Sequence, residues 1–330
     1  MEINREKVSI AARQKEAVPF IQPSLFTKAS LRFAILASAS YLLLSYFLVG
    51  FRPDQIALVV IFNALYFGSF ITRRFILAFS IFIVYWIFFD YQKAFPNYHY
   101  SDVHIQDLYN WEKSWFGIEW KNTIITPNEY FAQNNSSFID VLTGIFYLCW
   151  IPVPFGFAAV MFFKNRNLFF QFSLTFVVVN IIGWTGYYSY PAAPPWYVAQ
   201  HGFDFVASTA GSTAGFARFD DFLGVKIFEG IYAKSSNVFA AMPSLHAAYM
   251  LIVFYYSVKA KLKLWNVLFG IILLGIWFGA VYSSHHYILD VLAGITCTII
   301  GIFIFQTWVR SKPGQRVLNR LIVTTSKEKI

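Results

Sequence analysis

Apolar residues run along this chain in long stretches broken at short polar points. Read as helices, those stretches number eight, at about 31–50, 55–72, 75–90, 138–163, 168–190, 243–259, 264–283 and 287–309. A hydrocarbon core of about 30 Å takes roughly 20 apolar helical residues to cross; the sixth stretch falls short of that length. The punctuation is sharp. Gly50-Phe51-Arg52-Pro53-Asp54 separates the first two helices, Thr72-Arg73-Arg74 the next two, and Lys164-Asn165-Arg166-Asn167 the fourth from the fifth. Lys259, Lys261 and Lys263 close the sixth. Period-two alternation is absent, which argues against a β-barrel.

Composition turns those helices into membrane spans. Of 330 residues, 57% are hydrophobic and only 13% charged, against about 25% charged in a soluble domain. Two cysteines are too few for a disulfide scaffold, and Cys149 and Cys297, both inside apolar stretches, read as small buried hydrophobes. The expected fold is an all-α integral membrane protein with about eight transmembrane helices.

Charge sets the expected orientation. With a cytoplasmic N-terminus, 19 of the 26 Lys and Arg fall on the inside: those up to the first turn of the first span, at 73–74, at 164–166, at 259–263 and after 309. The positive-inside rule then puts both termini in the cytoplasm. The net charge of +9 is thereby an orientation signal and calls for no nucleic-acid partner. The chain divides into a cytoplasmic arm (1–30), three helices (31–90), an outer interfacial segment (91–137), a membrane core (138–310) with an outer loop (191–242), and a cytoplasmic tail (311–330). In 91–137, Trp111, Trp115, Phe116 and Trp120 alternate with charges and read first as an aromatic belt and lid scaffold. The loop 191–242 opens on Pro191-Ala192-Ala193-Pro194-Pro195-Trp196, then turns Gly-, Ser- and Thr-rich through Ser208-Thr209-Ala210-Gly211-Ser212-Thr213. Loops this long usually have a function.

Ionisable residues at the mouths of membrane helices point to function. One set is Met242-Pro243-Ser244-Leu245-His246, where Pro243 suits a first helical turn. Free N–H groups at that helix start can hold an anion such as phosphate; Ser244 adds a hydroxyl and His246 an acid/base group. The other set is Ser283-Ser284-His285-His286-Tyr287-Ile288-Leu289-Asp290. There His286 and Asp290, spaced i, i+4, share a helical face, so the carboxylate can hold one ring nitrogen while the other serves as base or nucleophile. Both mouths lie on the outer face by charge counting alone. A lone interfacial His is usually a hydrogen-bonded anchor, but two paired motifs on one face are hard to read that way. Zinc is a weaker rival, since no His-x3-His or Cys cluster accompanies them.

Those residues resemble the type 2 phosphatidic acid phosphatase superfamily of lipid-phosphate enzymes. Pro243-Ser244-Leu245-His246 looks like its Pro-Ser-x-His signature, and His286-x3-Asp290 matches the end of its Ser-Arg-x5-His-x3-Asp signature. The Ser-Arg positions hold Gly279 and Ala280, and Lys-x6-Arg-Pro is missing. Tyr187-Tyr188-Ser189-Tyr190-Pro191-Ala192-Ala193-Pro194-Pro195-Trp196 and the His-His-Tyr-x-x-Asp form at 285–290 resemble the inositol phosphorylceramide synthase (inositolphosphotransferase) branch. The resemblance implies a six-helix phosphatase-like catalytic core over about 140–310. It also implies a metal-independent transfer of a phosphorylated head group, phosphoinositol, from a glycerophospholipid donor to ceramide or a similar lipid alcohol. His286 would be the nucleophile, forming a phosphohistidine, with Asp290 orienting it and His246 as general acid and base. Arg218 is the expected replacement for the missing phosphate-binding Arg, followed by Lys226, Lys234, His285 and the N–H groups near Ser244; Tyr187 and Trp196 join them as candidate substrate contacts. No cofactor is implied. With water as acceptor the same site would be a lipid phosphate phosphatase or phospholipase C-like hydrolase. A lipid transporter is a remoter reading, because the midplane lacks an ionisable relay. The outer face would be periplasm for a bacterial inner membrane, or lumen for a secretory organelle.

Overall fold

A computed structural model describes residues 24–233 and 237–326. Most of the arm expected at 1–30 lies outside the described residues, as does Lys234. The described backbone is almost wholly helical, with one small antiparallel hairpin of β1 (Ile118–Trp120) and β2 (Thr123–Ile125).

The first three apolar stretches form α1 (Lys28–Val49), α2 (Pro53–Gly68) and α3 (Phe70–Tyr91). The side chains of Thr27 and Ser69 cap α1 and α3, and Pro53 opens α2, where its missing N–H costs nothing. The outer segment carries α4 (Gln106–Phe116) and, after the hairpin, α5 (Pro127–Gln133). Then follow α6 (Ser137–Leu148), α7 (Pro152–Lys164) and α8 (Arg166–Ser189). The second long loop holds α9 (Pro195–His201), α10 (Ala217–Leu223) and α11 (Ile227–Tyr232). The chain closes with α12 (Leu245–Lys259), α13 (Leu264–Tyr282), α14 (Ile288–Arg310) and α15 (Lys312–Thr325).

Two expectations need correcting, and the span count is met in part. The stretch 138–163 is two helices, because Pro152 has no N–H to bond back to Leu148 and its ring excludes that carbonyl. Of the eight expected spans, six are long and apolar enough to cross a bilayer among the described residues, with α6 and α7 together counted as one candidate span. The other two, α2 with 16 residues and α12 with 15, rise about 24 and 22 Å at roughly 1.5 Å per residue. Finally, Cys149 and Cys297 are half-buried free thiols, not enclosed ones.

The short α12 is the hub of the bundle. It packs on α7, α8, α13 and α14, and Ala247, Ala248, Met250, Ile252, Val253 and Tyr256 along it are fully buried. A helix apolar on every side belongs at the centre of a bundle. Around it lies a phenylalanine-rich core, with Phe79, Phe82, Phe169, Phe172 and Phe176 in edge and stacked contact. In the tail, α15 lays Leu318, Leu321 and Ile322 on the same core, against α3 and α8.

Candidate active site

The candidate catalytic turn, Ser283 to Tyr287, joins α13 to α14. His285 and His286 both donate their N–H to the Ala280 carbonyl, at 3.1 and 3.0 Å. Ser284 turns the chain with a φ of +60°, a left-handed conformation unusual for a residue with a Cβ. Such strain tends to be kept where function needs it. The helix starts later than expected: Tyr287 is its N-cap and His286 precedes it. His286 and Asp290 therefore do not share a helical face. They meet because Asp290 folds back over the helix start, where its Oδ2 accepts from the Tyr287 N–H at 2.9 Å. That same oxygen lies 3.4 Å from His286 Nδ1. Neither Nδ1 of His286 nor Oδ1 of Asp290 has a hydrogen-bond partner among the described residues. The pair is close, not yet in an aligned hydrogen bond.

The second motif meets the first through the backbone. Ser244 is the N-cap of α12, with Oγ facing the Ala247 N–H at 3.4 Å. Pro243 thus sits before the cap and not in the first turn, because the hydroxyl of Ser244 supplies the cap. The Ser244 N–H donates to the Asp290 carbonyl at 2.9 Å. Gly294 makes this approach possible: a Cβ there would lie 2.2 Å from the Ser244 carbonyl oxygen. One turn along, His246 Nδ1 stands 3.2 Å from His286 Nε2. Trp150, from the break between α6 and α7, presents its edge to His246 at 4.4 Å, and Tyr147 lies 5.3 Å away.

Burial pushes the His286 imidazole down to about 4, so at neutral pH it is uncharged with a free lone pair. Two carboxylates satisfy the start of α14. Besides Asp290, fully buried Glu112 of α4 accepts from Ile288 N at 2.9 Å and Leu289 N at 3.1 Å. Burial lifts Glu112 to about 7, against those two N–H bonds. Asn128 of α5 donates to the carbonyls of Val281 and His286, at 2.8 and 2.9 Å. Sequence reasoning missed both residues. No local signal marked Glu112: it is buried although Trp111 and Trp115 beside it on the same helix are exposed.

The expected substrate contacts divide. Arg218 of α10 donates from Nε to Asp140 Oδ1 at 2.7 Å, an oxygen that also accepts from the Tyr282 hydroxyl at 2.9 Å. Its buried Nη2 has no partner among the described residues. That nitrogen comes to the foot of the catalytic turn: a Cβ on Gly215 would lie 3.0 Å from it and 2.7 Å from the Ser283 Cα. Lys226 is not brought in, being 80% exposed and paired with Glu229 at 3.1 Å. His285 cannot serve as a phosphate-binding cation. Burial pushes it down to about 3, and its Nε2–H is spent on the Thr213 carbonyl at 2.9 Å. Trp196 is buried beside Tyr197 and Phe239, and its N–H donates to the Ser284 carbonyl at 3.0 Å. Tyr187 is likewise a core residue, its carbonyl held by Asn97 at 2.8 Å and its hydroxyl meeting the Leu245 N–H. These two brace the turns that carry the motifs.

An apolar helix bundle presenting a facing His pair and a carboxylate at one end defines a class, and the sequence match agrees: the chain belongs to the PAP2 superfamily, whose family model covers residues 106–304. It is 43% identical over 275 residues to the phosphoinositol dihydroceramide synthase of Bacteroides thetaiotaomicron, covering 82% of this chain and 90% of that protein. Two fungal proteins are more distant. The inositol phosphorylceramide synthase catalytic subunit AUR1 of Saccharomyces cerevisiae is 32% identical over 54% of this chain, and the inositol phosphorylceramide synthase of Candida albicans 30% over 53%. The match spans only 44% and 39% of those two proteins' own lengths. No solved structure matches the chain.

Proposed function

We propose that this protein moves a phosphoinositol head group from a glycerophospholipid to ceramide or a similar lipid alcohol, through a phosphohistidine on His286. The 3.2 Å approach of His246 Nδ1 to His286 Nε2 carries the reading. The two nitrogens address one point, and a phosphodiester entering between them parts them. With Asp290 beside Nδ1, the His286 proton belongs on that nitrogen and the Nε2 lone pair attacks phosphorus. The phosphorus–oxygen bond to diacylglycerol breaks, and His246, which takes up a proton as the anionic phosphodiester enters beside it, protonates the departing oxygen. Asp290 offsets the positive charge on the phosphorylated ring. In the second step neutral His246 takes the proton of the acceptor hydroxyl, whose oxygen attacks phosphorus and releases His286. Splitting the displacement makes each barrier smaller, and acid/base assistance is typically worth about 10²–10⁴-fold. The unpaired Nη2 of Arg218, held in place by Asp140, is the donor suited to the phosphoryl oxygens, where charge builds.

Trp150 and Tyr147 around His246 favour a lipid alcohol over water as acceptor. The relatives' names add the head group and the ceramide class. We place both termini in the cytoplasm, the short helices α2 and α12 among the crossings, and the site on the outer face. In the test, purified protein receives labelled phosphatidylinositol with and without ceramide. Phosphoinositol-ceramide should form only when ceramide is present, and His286→Ala or His246→Ala should lower turnover by about 10²–10⁴-fold with the fold intact. Release of free inositol phosphate at the same rate with or without ceramide would make it a hydrolase.

A further inference from the structure

The polar run Ser208-Thr209-Ala210-Gly211-Ser212-Thr213 takes no part in the histidine chemistry. It bends instead around an outer cavity of about 530 Å³, within the roughly 300–1,000 Å³ typical of small-molecule sites. Gln200 and His201 form one wall and Glu229 and Tyr232 another. Gln200 donates to Ser212 Oγ at 3.2 Å. Ser208 and Ala214 hold positive φ values of 57° and 46°, strain concentrated in the segment that shapes the cavity.

Two contacts join this cavity to the catalytic turn. Its Thr213 carbonyl accepts from His285 Nε2 at 2.9 Å, and its Tyr232 ring stacks on His285 with centroids 4.3 Å apart. The cavity wall is therefore packed against His285, the residue next to His286.

We infer that the cavity receives the polyhydroxylated ring of the donor's head group, a deepening that rests on the function proposed above. Among the described residues the polar lining is hydroxyls, the Gln200 amide, the His201 imidazole and the Glu229 carboxylate, with no Lys or Arg. A ring bearing a hydroxyl on each carbon needs such alternating donors and acceptors. A second phosphate would need a cation. A choline-like group would need an unpaired carboxylate or an open aromatic face, but Glu229 is paired with Lys226 at 3.1 Å and His285 covers Tyr232.

The test uses the full chain in detergent with Gln200→Ala and Glu229→Ala. Calorimetry measures binding of myo-inositol 1-phosphate and glycerol 1-phosphate, and kinetics measure KM for phosphatidylinositol and ceramide. Wild type should bind the inositol compound more tightly than the glycerol one. Each variant should weaken the inositol compound and raise the phosphatidylinositol KM about tenfold, the effect of one or two lost hydrogen bonds, while the ceramide KM moves less than about twofold. Equal wild-type affinity for the two phosphates, or variants that bind inositol phosphate as wild type does, would overturn the assignment. Calorimetry needs no turnover, so the two readings can fail separately. Selective inositol phosphate binding, lost in the variants, upholds the cavity even if no transfer occurs; unchanged variants alongside intact transfer overturn the cavity alone.

Discussion

Three buried carboxylates surround the catalytic turn, and each faces a different partner. Asp290 stands beside His286, the proposed nucleophile, Glu112 holds the start of the helix that follows it, and Asp140 holds Arg218 and Tyr282. Asp140 leaves Arg218 one free nitrogen in a fixed place. Arg218→Lys has no second donor for that position, so the KM for the lipid donor should rise about tenfold or more, as it should in Asp140→Asn; steady-state kinetics on both variants check this. Glu112 makes the site pH-dependent. With its carboxyl pushed up to about 7 by burial, protonation below that pH removes acceptor capacity facing the N–H groups of Ile288 and Leu289. Activity should therefore fall as pH drops through about 7. His286, pushed down to about 4, titrates well below that window. In Glu112→Gln the acid limb near 7 should vanish and kcat above pH 8 should be lower by about tenfold, roughly one charge-assisted hydrogen bond; a pH–rate profile reads both. Asp290, His246 and His286 were legible in the sequence because polar residues are scarce there. Glu112 and Asp140 were not, because a carboxylate's burial depends on what folds over it.

Among the elements, the closest approach is that of α14 to the start of α12. Gly294 lets the Ser244 carbonyl reach the helix backbone, and that contact sets the spacing of the two histidines. Gly294→Ala places a methyl where the carbonyl lies. Overpacking of this kind costs about 1–3 kcal/mol, so thermal unfolding should come several degrees earlier, and kcat should drop because the histidine spacing widens. Melting curves and turnover on the purified variant test both. The helices themselves were largely legible from apolar length. Their ends were less so: Pro152 breaks one stretch into α6 and α7, and capping by Ser244 and Tyr287 starts α12 and α14 two residues and one residue later than periodicity suggested. Local capping, not hydrophobicity, decides these ends. It also decides that Asp290 reaches His286 by folding back, and not by helical spacing.

Across the whole molecule, chemistry and charge lie at opposite ends. The two histidines occupy the start of α12 and the turn before α14. Lys259, at the other end of α12, bonds Gln171 and Gln306, while Arg166 bonds the Thr325 carbonyl. Basic turns scattered through the sequence thus gather at the end remote from the site, which supports a cytoplasmic assignment for that end under the positive-inside rule. The outer segment and the second long loop meet over the catalytic turn, where His104 bonds Pro191 and Ala193 and Asn97 bonds Tyr187 and Phe239. Periodicity carries no trace of such long-range pairing, so the cover over the site was the least legible part of the fold. The reaction itself is most directly tested by trapping its intermediate. Protein mixed with inositol-labelled phosphatidylinositol and no acceptor, then quenched in alkali, should carry an acid-labile label on the peptide containing His286. Ceramide should discharge that label into phosphoinositol-ceramide, and His286→Ala should carry none. Transfer to ceramide at the wild-type rate in His286→Ala, with no label on any histidine, would contradict the two-step mechanism.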